Sequence, residues 1–194
     1  MINTALKYLM ANTQVKLALM KYYNDNVYKY IAPQRKYKIK PNDNWCAMFV
    51  SVIAHKCNVK NFPYEVSVYY MTQLAKKSGS FTTNFKEVKA GDLIIYDWKN
   101  NGTLDHVGLI TEIDGNTIKV IEGNYKNTVG LRSVKYPNNE VYGFIKTEYT
   151  PNTVDIEQLA RDSIKGLYGV GEERKKRLGD SYEAVQKRIN QILK

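Results

Sequence analysis

Cys46 stands near the head of the apolar stretch "NWCAMFVSVIAHK" (44–56), in a chain of 194 residues with one other cysteine and two histidines. A thiol at a helix start meets backbone N–H groups that have no partner in the first turn, and the helix dipole there favours negative charge. Such a cysteine can act as a thiolate nucleophile, or simply pack as a small apolar residue. The choice turns on a base. His55 lies nine residues on, half a rotation away and about 13 Å along a continuous helix, so it reads as a helix-end histidine. His106 opens "HVGLITEI" (106–113), and Gly108 two residues later leaves room on the same face for another group. An imidazole base needs a third group to fix its tautomer. Glu122 and Asn124, in "VIEGNY" (120–125), are candidates for that role.

Hairpin register decides what His106 meets, because opposed residues in an antiparallel pair share a face. With Ile113-Asp114-Gly115 as a three-residue loop, His106 lies opposite Glu122. With Asp114-Gly115-Asn116 as the loop, it lies opposite Asn124, with Glu122 one step away on that face. A two-residue Asp114-Gly115 turn would put imidazole and carboxylate on opposite faces, unless a bulge restored the parity. Asp105, beside His106, reads as a turn residue.

The elements that must position these residues follow from periodicity. Helices are expected over Thr4–Tyr23, Trp45–His55 and Val66–Lys77, the last stopped by Gly79. From Ala90 the period changes to two. "DLIIYDW" reads as a buried strand, "HVGLITEI" and "NTIKVIE" as a hairpin, and "VYGFIKTEY" as a further strand. Helices first and an antiparallel sheet afterwards predict an α+β domain over residues 1–148. A break at "TPNTVD" predicts a linker at 149–154. Residues 155–194 then read as a small three-helix unit, with apolar stripes Ile156, Leu159, Ala160, Ile164 and Val185, Ile189, Leu193.

The hydrophobic content of 43% supports a folded core. No apolar run approaches the roughly 20 residues of a membrane span, so stable membrane insertion is not expected. Polar residues Asn12 to Lys16 interrupt any signal-peptide core near the N-terminus, which predicts synthesis in the cytoplasm without a cleaved signal. Cys46 and Cys57 on one helix are about 16 Å apart, too far for a disulfide. His55 and Cys57 lack a second ligand pair, so neither metal nor cofactor is expected. The net charge is +10; residues 151–194 hold 9 Lys and Arg against 7 Asp and Glu, so +8 lies on residues 1–150. Such a body suits polyanionic surroundings, whether nucleic acid, anionic membrane or a teichoic-acid-bearing wall. No nucleic-acid recognition motif accompanies the charge, and nucleic acid is not an expected partner.

Together, "WCAMFVSVIAHKCNVKNFP", "KAGDLIIYDW", "DHVGLITEIDGNTIKVIEGNY" and "GLRSVKY" resemble the CHAP family of cysteine- and histidine-dependent amidohydrolases/peptidases, papain-like and related to the NlpC type. The resemblance covers about residues 1–148. It implies Cys46 as nucleophile, His106 as general base and acid, Glu122 as the residue orienting His106, and Asn124 as a supporting polar group. Certain relatives bind calcium through an acidic loop ahead of the cysteine; here that region holds only Asp25 and Asp43, and no such site is expected. The tail, with "GEERKKRLG" and "YEAVQKRIN", resembles the three-helix Cpl-seven-type wall-binding repeat of phage lysozymes. That likeness implies peptidoglycan as partner, with Tyr168, Arg174 and Gln186 as candidate contacts, and allows oligomerisation through the module. Together the two resemblances imply a phage or prophage endolysin that reaches the wall after holin-type release; the alternatives are a bacterial autolysin or secreted antibacterial effector with the same chemistry, and a non-catalytic cell-wall-binding protein.

Overall fold

The N-terminal segment forms two helices, α1 (Ile2–Leu6) and α2 (Thr13–Tyr22), where the periodicity predicts one from Thr4 to Tyr23. The break has a local and a tertiary cause. Asn12 caps α2, its side chain accepting from the Val15 N–H at 3.0 Å. Met10 adopts a left-handed backbone (φ 60°) and donates its N–H to the Val129 carbonyl at 2.9 Å. Thr128 Oγ1 donates to the Ala11 carbonyl at 2.8 Å. Long-range partners thus capture backbone groups that a continuous helix would have used. The computed structural model describes residues 1–148 and 156–193; the expected linker at 149–154 lies outside the described residues.

Helix α3 (Cys46–Lys56) is buried on every side from Cys46 to Ala54, the pattern of a helix at the centre of a core. Helix α4 (Val68–Ser78) opens on Ser67, whose side chain accepts from Tyr70 N–H, and closes on left-handed Gly79. Six strands follow: β1 (Phe81–Thr82), β2 (Leu93–Tyr96), β3 (His106–Asp114), β4 (Thr117–Tyr125), β5 (Thr128–Lys135) and β6 (Val141–Ile145). They form one antiparallel sheet in the order β1-β6-β2-β3-β4-β5, and the domain is α+β. Leu93, Ile95, Val107, Leu109, Ile121 and Ile145 join the core cluster that contains α3. Residues of the opposite parity, Ile94, Tyr96, Ile110, Val120 and Phe144, form a second cluster covered by Phe85 and Tyr136. Gly123 allows close contact between α3 and the sheet, because a Cβ there would lie 2.4 Å from the Cβ of Phe49.

The chain divides into two compact units, Met1–Tyr149 and Thr150–Lys194. The second contains α5 (Ile156–Ile164), α6 (Gly171–Leu178) and α7 (Tyr182–Ile192). Its core is Leu159, Ala160, Tyr168, Leu178, Val185 and Ile189. Ile164 and Leu193, expected on the apolar stripes, are exposed at 40% and 67%; each sits at the C-terminal end of its helix, where fewer neighbours cover it. Among the described residues, no helix is long and apolar enough to cross a membrane.

Candidate active site

The β3–β4 hairpin turns through Gly115 and Asn116, with Asp114 paired to Thr117, a two-residue turn outside the three expected ones. Such a turn alone would set His106 and Glu122 on opposite faces. A bulge at Thr111 shifts the register between Ile110 and Glu112, so that Leu109 pairs with Ile121 and Ile110 with Val120. The parity is restored. The Thr111 hydroxyl, donating to the Lys119 carbonyl at 3.0 Å, occupies the irregularity. Glu122 then comes level with Gly108 on the face of His106. The glycine is required there, because a Cβ would sit 2.3 Å from Val120 Cγ1 and 2.9 Å from Glu122 Cγ.

Three residues meet at this end of the sheet. Cys46 is the first residue of α3, preceded by Trp45, whose side chain makes no cap hydrogen bond to the first-turn N–H groups. His106 is the first residue of β3, and its Nε2 is 3.3 Å from Glu122 Oε2. That contact is an ion-pair distance rather than a well-aligned hydrogen bond. Burial, the largest influence on His106, opposes its charge; Cys46 and Glu122 outweigh it and raise the imidazole to about 9. Glu122 is 0% exposed. Burial works against its charge too, yet His106 and Arg132 hold its carboxyl below the usual range. The result is a buried carboxylate between two cationic groups, with the Cys46 thiol beside one of them.

Sequence reasoning missed part of this arrangement. Arg132 Nε lies 2.9 Å from each oxygen of Glu122. Trp98 stacks on His106, with ring centroids 5.2 Å apart and planes at 25°. Tyr96, paired with His106 across β2 and β3, is buried, and burial followed by the Glu122 charge raises its hydroxyl, keeping it protonated. The loop after β2 is held at both ends. The Asp97 carboxylate accepts from the N–H groups of Asn101 and Gly102, and Asp105 accepts from Trp98 N–H at 2.9 Å. Asp105 thus braces the loop between β2 and β3, its own N–H donating to the Tyr96 carbonyl at 2.9 Å. A signal for Arg132 existed: in β5, Gly130 opposes Glu122, and a residue two positions on shares that face. The sequence pattern does not mark "TVGLRSVK" as a strand, so the face of Arg132 follows only from the fold.

Asn124 is half-buried with a left-handed backbone (φ 61°), and its amide donates to Asn44 Oδ1 at 3.1 Å. It therefore links the end of β4 to the segment that leads into Cys46. His55, at the far end of α3, sits 3.0 Å from the Tyr22 hydroxyl within a cluster of Tyr22, Tyr30 and Tyr64. Cys57 is a free thiol whose Sγ donates to Thr4 Oγ1. In the second unit, Tyr168 is 6% exposed within the helical core. Arg174 donates to the carbonyls of Gly169 and Ser163 and to Gln186 Oε1, and Gln186 donates to Asn190. These three candidate wall contacts are engaged in the module's own packing. Among the described residues, no three His, Cys, Asp or Glu side chains cluster as a metal site.

Comparison with known proteins separates the same two parts. Residues 37–124 match the family model of the CHAP domain, and residues 157–193 match that of the CW_7 repeat. A CHAP domain implies peptidoglycan hydrolysis, and a CW_7 repeat implies cell-wall binding. No curated protein matches the chain. Among solved structures it is similar to "The crystal structure of Ly7917", with 14% identity and a TM-score of 0.37, over 54% of this chain and 53% of that one. The chain thus spans about half the length of that structure.

Proposed function

From a chain that joins a CHAP domain to a CW_7 repeat, we propose a cysteine-dependent hydrolase of peptidoglycan amide bonds, anchored to the wall by its C-terminal unit. The observation that carries this reading is the meeting of Cys46, at the uncapped first turn of α3, with a raised His106 that faces buried Glu122.

The residues act in order. The Cys46 thiolate attacks the amide carbonyl carbon, and the oxyanion that forms lies near the unpartnered N–H groups of the first helical turn. His106 gives its proton to the leaving amine, the C–N bond breaks, and a thioester remains. Neutral His106 then takes a proton from water, the hydroxide attacks the thioester, and Cys46 leaves as thiolate beside the reprotonated imidazole. Glu122 holds the ring in one orientation throughout. The amide is either the N-acetylmuramoyl-L-alanine bond or a peptide bond of the stem or cross-bridge.

The pairing of a wall-degrading unit with a wall-binding unit supports a phage or prophage endolysin, made in the cytoplasm and released to the wall by a holin. A bacterial autolysin or antibacterial effector would use the same chemistry, and a neighbouring holin gene favours the endolysin. The chemical claim is tested with Cys46→Ala and Cys57→Ser on purified sacculi, fragments being read by mass spectrometry. Cys46→Ala should abolish release with the fold intact by circular dichroism, and Cys57→Ser should leave it largely unchanged. A folded Cys46→Ala variant that still clears walls at the wild-type rate would refute a thiol mechanism.

A further inference from the structure

Glu122 is the innermost charged group of the site, and its firm hydrogen bonds do not come from His106. They come from Arg132, whose Nε is 2.9 Å from both carboxylate oxygens, whereas the His106 contact is 3.3 Å. Arg132 is itself fixed. Its guanidinium lies 5.1 Å from the Tyr125 ring, 5.6 Å from Tyr96 and 5.9 Å from Trp98, and Trp98 stacks on His106. Arg132 stands on β5, beyond the residues 37–124 that match the CHAP domain.

We propose that Arg132 is a positioning residue of this site: its contact with both carboxylate oxygens holds Glu122 in the rotamer that faces His106. Its reach is thus the Cys46–His106 pair, which it does not touch. The proposal rests on the thiol-hydrolase reading of the same site. The physical cause is the cost of a buried carboxylate whose other cationic partner, His106, is poorly aligned. Without the guanidinium, burial pushes the Glu122 carboxyl upward, and at mildly acidic pH it binds a proton. A neutral Glu122 neither orients nor supports the imidazolium. Function then fails at a higher pH on the acid side than in the wild type.

The test compares Arg132→Met and Arg132→Lys with wild type, all in a Cys57→Ser background. Two readouts are taken against pH: kcat and KM on a soluble muropeptide, and the rate at which iodoacetamide alkylates Cys46. The Met variant should lose about 10- to 100-fold in kcat with little change in KM, as for partners that orient a catalytic ligand. Its acid limb should move up by about one pH unit, in both cleavage and alkylation. Lysine keeps the charge without the planar fork, so its limb should fall between the two. A folded variant with a wild-type acid limb in both readouts overturns the proposal, even if kcat is reduced, because a purely structural residue would give that result. If the Met variant does not fold, an unshifted limb in Arg132→Lys overturns it equally. Alkylation needs no substrate, so a wild type that cleaves no muropeptide condemns the hydrolase reading separately, while the alkylation profiles still decide on Arg132.

Discussion

In the proposed mechanism His106 acts in two protonation states, and its surroundings favour the charged one. Burial, the strongest influence, would lower its pKa; the Cys46 and Glu122 groups raise it to about 9 instead. An imidazolium must protonate the leaving amine, so kcat/KM on a soluble substrate should fall on the alkaline side with an apparent pKa near 9. Glu122→Gln removes one of the raising influences, and that limb should shift to lower pH. An unmoved limb in a folded Glu122→Gln variant would detach Glu122 from His106. The same shift acts on stability. The folded chain binds this proton more tightly than the unfolded chain, whose histidine titrates near 6.5. The contribution is complete below that value and is lost as pH rises through about 9. At this scale the sequence was legible where residue type is scarce: with two cysteines and two histidines, helix geometry alone removed His55. Arg132 was not legible, because arginine and lysine together number 29 and only the strand pairing distinguishes this one.

Parity in the β3–β4 hairpin is the element-scale device that builds the site. A two-residue turn and a one-residue bulge have opposite effects on facing, and together they bring Glu122 to the face of His106. The alternation of residues revealed the hairpin; the bulge at Thr111 has no signature in residue type, so the register stayed open among three turns. Tertiary capture likewise hid the break between α1 and α2, though Asn12 was a readable cap. The strand that delivers His106's neighbour Tyr96 depends on a second buried carboxylate. Asp92, just ahead of β2, accepts from the N–H of Lys89 at 2.9 Å, from Lys89 Nζ at 2.9 Å and from the Thr147 N–H at 2.8 Å. It is fully buried, and it fastens the start of β2 to the chain leaving β6. Asp92→Ala would strand two backbone donors and should cost about 2–4 kcal/mol, read as a lowered urea midpoint. A loss below about 1 kcal/mol would mean that water replaces the carboxylate freely.

The whole molecule combines a large unit that holds the reactive groups with a small one that holds none of them. Both cysteines and both histidines lie in residues 1–149. The two-part organisation is readable because helical periodicity resumes after the sheet, whereas residue type alone does not single out the module's wall contacts. Tyr168 and Arg174 are residue types that often bind ligands, yet here they serve the interior and the loop carbonyls. An anchor changes how often the reactive unit meets its substrate, not how fast the bond breaks. Tethering makes later encounters nearly intramolecular and can strengthen overall binding by factors on the order of 100 or more. Deleting residues 151–194 should therefore sharply reduce the rate on intact walls and leave cleavage of a small soluble muropeptide little changed. Parallel rates for full-length and truncated protein on both substrates make the comparison. Equal losses on both would mean that the tail supports the fold of the first unit. No loss on either would mean that it is not an anchor, and the isolated helical unit should then fail to bind purified peptidoglycan as well.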